Sequence, residues 1–142
     1  MRQVLVVEAD EVLTDVMVEV LTRDGCEVTA VRSIGEAVCC LSGKDADVDM
    51  VMFDADTVSL GTPGEPLTKW QAWIDRCPRP PACMIVSVQA ASARLLRFLR
   101  PAPGRYRHAD GPAVWLRKPF RNEELLAAVR QVAGGRRAAS EA

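Results

Sequence analysis

The chain has 142 residues, 49% of them hydrophobic and 26% charged, and a formal net charge of -1. That suits one domain with its own core, and the near-zero charge excludes a global field that would draw nucleic acid or an acidic membrane. Five cysteines without a CxxC pair (Cys26, Cys39, Cys40, Cys77 and Cys83) and a single histidine support neither a disulfide framework nor a zinc site, so the cysteines read as reduced thiols.

In chain order, residues 4–7 form a short unbroken apolar run, the pattern of a parallel strand buried on both faces. The opening residues enter this strand directly, and no apolar run of membrane length follows, so a cytoplasmic chain is expected. Leu13, Val16, Met17, Val20 and Leu21 then recur at helical spacing, predicting one apolar face with Asp15, Glu19 and Arg23 outward and a stop at Gly25. CEVTAV (26–31) predicts a second strand. Ser33 and Glu36 make a capping box for a helix that carries Ile34, Val38 and Leu41 inward. VDMVMF (48–53) predicts a third strand ending on Asp54. A Gly- and Pro-rich loop (61–66) leads to a helix with Leu67, Trp70 and Ile74 on one side, and Trp70 and Trp73 read as packing residues. ACMIVSV (82–88) and ARLLRFLR (93–100) predict a fourth strand and helix. An exposed loop over 101–112, which carries His108, precedes the fifth strand, AVWL (113–116). Asn122 caps a last helix with Leu125, Leu126, Val129 and Val132 inward; Gly134 and Gly135 end it, leaving 134–142 as a polar tail.

Five strands alternating with five helices imply right-handed crossovers and a doubly wound parallel α/β sheet. Such sheets place their sites at the carboxyl ends of the strands. The polar residues at those ends are Glu8 and Asp10, separated by Ala9, then Asp54 followed by Asp56, then Ser87, and finally Lys118 before Pro119 and Phe120. Converging carboxylates favour a hard divalent cation such as Mg²⁺. A carboxylate beside such a cation can act as a nucleophile toward a phosphoryl group whose oxygens a lysine and a hydroxyl hold.

On WLRKPF (115–120), VDMVMFDAD (48–56) and LTRDGCEVTAV (21–31), the sequence resembles the receiver domains of two-component response regulators over residues 1–133. The resemblance implies the (βα)5 flavodoxin-like receiver fold with strand order 2-1-3-4-5. It makes Asp54 the phosphoacceptor, with Ser87 and Lys118 binding the phosphoryl group. Ser87 and Trp115 become the switch pair. Mg²⁺ is held by Glu8, Asp10, Asp54 and the backbone carbonyl of Asp56. A sensor histidine kinase or phosphotransfer protein donates the phosphoryl group. A downstream protein reads the face made by the 93–100 helix, the fifth strand and the last helix, where Arg94, Arg97 and Arg100 lie, and receivers often dimerise through that face. The implied role is a stand-alone signalling module rather than a metabolic enzyme.

Three features depart from the pattern. Ala9 stands where the family usually has a second acid that ligates Mg²⁺ directly, Val58 stands where proline is usual, and the link from Ser87 to Lys118 is long. Ala9 keeps a second reading open, a degenerate receiver that acts as a phosphorylation-independent interaction module. FDADTV (53–58) also resembles the Asp-x-Asp motif of haloacid-dehalogenase-type phosphatases, but there the motif follows the first strand. No aromatic stacking set accompanies the arginines, so nucleic acid is not an expected partner.

Overall fold

The computed structural model describes residues 2–42, 48–54, 65–77, 81–87 and 113–141. Strands β1 (Gln3–Val7), β2 (Glu27–Val31), β3 (Met50–Asp54), β4 (Ala82–Ser87) and β5 (Ala113–Arg117) and helices α1 (Glu11–Arg23), α2 (Ile34–Ser42), α3 (Glu65–Arg76) and α4 (Asn122–Glu141) follow in the order β1-α1-β2-α2-β3-α3-β4-β5-α4 among the described residues. The expected helix over 93–100 and the loop over 101–112 lie outside the described residues. The strands form one parallel sheet in the order β2-β1-β3-β4-β5, the doubly wound architecture that the alternation implied.

Why the central strands are so apolar follows from their two faces. Leu5, Val7, Val51, Phe53, Cys83 and Ile85 pack on one side with Ile34, Ala37 and Leu41 of α2 and Trp70 and Ile74 of α3. Val4, Val6, Met50, Met52, Met84, Val86 and Leu116 pack on the other with Met17 and Leu21 of α1 and Leu125 and Val129 of α4. A strand covered on both sides has no solvent-facing position, so its run is continuous rather than alternating. β2 lies at an edge and is correspondingly more exposed. Register is pinned at the amino ends. The Gln3 N–H donates to Asp49 Oδ2 at 2.8 Å, the Asp49 N–H to the Gln3 carbonyl at 2.9 Å, and the Ala82 N–H to the Asp49 carbonyl at 3.1 Å.

The helix ends refine the expectations. Asp10 caps α1, and Gly25, at φ +86°, closes it. The Gly25 N–H reaches the Thr22 carbonyl at 3.1 Å and the Cys26 N–H the Leu21 carbonyl at 3.0 Å, which is the Schellman arrangement. Val16, expected on the inner face of α1, is instead 41% exposed, as is Val12 at 75%. Met17, Leu21 and the half-buried Leu13 and Val20 already cover that side of the sheet. At α2 the Glu36 N–H donates to Ser33 Oγ at 3.1 Å, while the Glu36 carboxylate accepts from Arg32 N–H rather than from Ser33. At α4 the cap is Arg121, not Asn122: the Leu125 N–H bonds the Arg121 carbonyl at 3.0 Å, and Glu124 Oε1 accepts from the Arg121 N–H at 3.2 Å. The helix does not stop at Gly134-Gly135 but continues to Glu141, through the stretch expected to be a tail. Two interior glycines disfavour helix by about 1 kcal/mol each, but Arg136, Arg137, Ala138 and Ala139 beyond them are strong helix formers. No disulfide joins any of the five cysteines in the fold.

An added Cβ at Gly25 would meet nothing within 4 Å, so the backbone angle alone opposes a side chain there. Gly25→Ala is expected to lower the unfolding free energy by about 1 kcal/mol, the cost of a left-handed L-residue, as read from a urea melt. An unchanged midpoint would contradict it.

Candidate functional site

Two strands bring carboxylates to the same level. Val7 pairs with Phe53 across β1 and β3, so the residues that follow, Glu8 and Asp54, stand side by side at the carboxyl edge. Both are about 3% exposed and are the buried charged residues among those described. Val86 is the partner of Asp54 on β4, and Ser87 pairs with Arg117 on β5. The chain leaving β5 therefore delivers Lys118 to the same edge, followed by a cis peptide to Pro119.

Lys118 reaches into the pair. Its ammonium donates to Asp54 Oδ2 and lies 3.8 Å from Glu8 Oε2. Glu8 Oε1 accepts the Asp10 N–H at 3.0 Å, whereas the buried Glu8 Oε2 has no hydrogen-bond partner among the described residues. Burial, followed by the Asp54 carboxylate beside it, pushes the Glu8 carboxyl up to about 7 from its ordinary 4.5. The Asp10 N–H and Lys118 act in the opposite direction without cancelling the shift. From behind, Phe53 fixes the end of β3. Its ring meets Trp70 edge to face at 5.0 Å, and Trp70 in turn lies 5.1 Å from Trp73.

The site residues named from the sequence thus divide into groups. Glu8, Asp54 and Lys118 come together. The exposed Asp10 carboxylate caps α1 through Oδ1, accepting from the Val12 N–H at 2.9 Å and the Leu13 N–H at 3.1 Å. The backbones of Ser87 and Trp115 lie in β4 and β5, and their side chains are outside what is described. Asp56, Arg94, Arg97 and Arg100 fall outside the described residues. Arg32, not singled out from the sequence, stands at the same edge beyond the end of β2. Its Nη1 lies 3.4 Å from Glu11 Oε1 and its Nη2 is 3.5 Å from the Ala9 carbonyl oxygen. The signal was available: it follows Val31, the last residue of β2, as Glu8 follows β1.

Among the described residues no trio of His, Cys, Asp or Glu side chains gathers in a metal-binding arrangement. Mg²⁺ does not require one, since it keeps several waters and is commonly held by one or two carboxylates. The buried Glu8 Oε2 beside Asp54, which among the described residues has no hydrogen-bond partner and only the distant Lys118 ammonium for charge, fits such an ion. No described helix is long and apolar enough to cross a membrane.

No protein-family model matches the chain, and no curated protein matches it. Solved structures do. The non-phosphorylated HemR receiver domain from Leptospira biflexa is similar at 22% identity and a TM-score of 0.65, over 94% of each chain. A CheY-like response regulator receiver domain protein from Methanospirillum hungatei is similar at 17% identity and a TM-score of 0.69, over 97% of this chain and 98% of that one. A response regulator receiver protein from Sinorhizobium medicae is similar at 23% identity and a TM-score of 0.68, over 95% and 96%. The chain has the receiver fold.

Because the Glu8 carboxyl titrates higher in the folded protein than its ordinary value, the native state holds that proton more tightly. The stability from Glu8 is therefore complete below about pH 4.5 and is lost as the pH rises through about 7. In metal-free buffer, the melting temperature of the parent relative to Glu8→Gln is expected to fall between about pH 5 and about pH 8. Parallel pH profiles for the two proteins would rule this out.

Proposed function

We propose that the chain is a response regulator receiver whose Asp54 accepts a phosphoryl group from a phosphohistidine on a sensor kinase or phosphotransfer protein. The observation that carries the reading is the buried Asp54 at the end of a central strand, bonded to Lys118 and flanked by Glu8. In the transfer, an Asp54 carboxylate oxygen bonds to phosphorus as the P–N bond breaks, and the imidazole nitrogen keeps the electron pair and takes a proton. Burial leaves the Asp54 carboxylate poorly hydrated, and the lysine beside it is placed to follow the charge onto the phosphoryl oxygens. Ser87 supplies a hydroxyl to those oxygens, and its movement, with Trp115, carries the change to the face that a downstream partner reads. Arg94, Arg97 and Arg100 give that face a basic character suited to an acidic protein partner or a second copy. A divalent cation, held by Glu8 and Asp54 with help from Asp10 and the Asp56 carbonyl, supplies charge neutralisation when bound.

One observation favours a second reading, a receiver fold that works as a phosphorylation-independent interaction module. Ala9 offers no ligand, and the Asp10 carboxylate is engaged as a helix cap, so the cation site is sparse.

Radiolabelled acetyl phosphate separates the two. With millimolar Mg²⁺ the parent is expected to take up label and Asp54→Ala to take up none. Lys118→Ala should lower uptake at least tenfold, the scale of losing one charge-assisted contact to the reacting group. No label on the parent, but label on Ala9→Asp, would establish the second reading and locate the defect at Ala9.

A further inference from the structure

Phosphorylation adds negative charge to a pocket that already holds two buried carboxylates, so the supply of cations along this edge matters. Lys118 contacts Asp54 and approaches Glu8. The next cation in the row is Arg32. Val7 pairs with Val31, and the Glu8 N–H donates to the Val31 carbonyl at 3.0 Å, so the ladder runs on and sets Arg32 beside Glu8. Across the edge the order is Arg32, Glu8, Asp54. Residues two positions earlier, Val6 and Met52, both belong to the core that α1 and α4 cover. Side chains alternate along a strand, so Arg32, Glu8 and Asp54 share that face. The contacts of the Arg32 guanidinium with Glu11 and the Ala9 carbonyl agree, because both belong to the start of α1 or the turn before it.

We propose that Arg32 is a second phosphoryl-binding cation of this site, leaving Glu11 to pair with the oxygens carried by Asp54; the inference rests on the phosphoacceptor reading above. The backbone of the residue is tied down and its guanidinium is exposed. Its N–H donates to Glu36 Oε2 at 2.6 Å, while its side chain is 64% exposed and its partner Glu11 78%. An exposed pair of that kind holds weakly. Adjacent strands lie about 4.8 Å apart, so Arg32 and Asp54 are separated by about 10 Å across two spacings, a gap that an arginine side chain and a phosphoryl group close between them. The planar guanidinium fork matches phosphate oxygens, where the lysine ammonium is a point charge. Ala9, on whose carbonyl the guanidinium rests, brings no carboxylate to hold it back.

The test uses radiolabelled acetyl phosphate on the full chain. An Asp54 oxygen bonds to phosphorus as the P–O bond to acetate breaks, and acetate leaves with the electron pair. Arg32→Gln is expected to raise the donor concentration for half-maximal labelling about tenfold, the scale of one hydrogen-bonded charge contact, with a smaller change in the rate at saturation. Arg32→Lys should recover part of the loss, and Glu11→Gln, which releases the guanidinium, should lower the half-maximal concentration. Melting curves that overlay the parent would tie these shifts to binding rather than folding. If the parent labels and Arg32→Gln labels at the same donor concentration or a lower one, Arg32 is a surface partner of Glu11 and the inference falls while Asp54 remains the acceptor. If the parent does not label at all, both fall together.

Discussion

A strand buried on both faces can carry charge only where it leaves the sheet, and this chain is organised by that restriction. Val4–Val7, the β3 run from Met50 to Phe53, and the β4 run from Ala82 to Val86 expose essentially nothing. An unpaired carboxylate within any of them would meet the desolvation penalty of the interior with no partner to offset it. Polar groups are therefore pushed to the carboxyl edge, and the Gln3–Asp49–Ala82 bonds at the opposite edge decide which of them meet. A slip of one residue between β1 and β3 would put Glu8 beside a neighbour of Asp54 and turn one strand's side chains to the other face. The site is a consequence of register before it is a consequence of its own attractions.

Once together, Glu8 and Asp54 form a costly pair. Two carboxylates near 3% exposure repel each other in a medium that screens poorly, and Lys118 is one cation shared between them. The raised Glu8 titration expresses the imbalance: the proton it favours supplies part of the charge that the lysine does not. Glu8 Oε2, which has the ammonium at 3.8 Å but no hydrogen bond among the described residues, expresses the same thing in geometry. A pocket in this condition favours the arrival of positive charge, and on the phosphoacceptor reading it must also tolerate the arrival of negative charge. Lys118 serves in both conditions because its ammonium already contacts the Asp54 carboxylate.

How much of this was legible in the sequence depended on whether a residue's place is set locally or by the sheet. The unbroken apolar runs identify the strands, and the residues at their ends identify Glu8, Asp54 and Lys118, because burial allows few alternatives. Gly25 was legible for a local reason, since a positive φ is a property of the turn itself. Val16 was not, because helical periodicity marks a stripe wider than the strip of sheet that α1 covers. Arg121 displaced Asn122 as the cap because Glu124 can reach back to its N–H, a pairing that composition alone does not rank. Arg32 was not legible although it follows a strand end, because an arginine beside an edge strand has the same sequence signature as solvated charge.

Asp10 and Ala9 are the places where local and global demands compete. The first turn of α1 needs an acceptor for its amides, and Asp10 serves both Val12 and Leu13. Drawing it into a metal shell would give up a cap worth about 1 kcal/mol, so it does not simply replace an acid at position 9. With Ala9 contributing no negative charge and a guanidinium resting on its carbonyl, the outer part of the edge holds less negative charge than an acid there would give it. The inner part, Glu8 and Asp54, still suits a cation. Charge at this edge therefore varies with depth, with an acidic floor under a rim where the Arg32 guanidinium stands among the exposed carboxylates of Asp10 and Glu11. A phosphoryl group on Asp54 would project from the floor toward that rim, where its oxygens could meet positive charge from the protein itself.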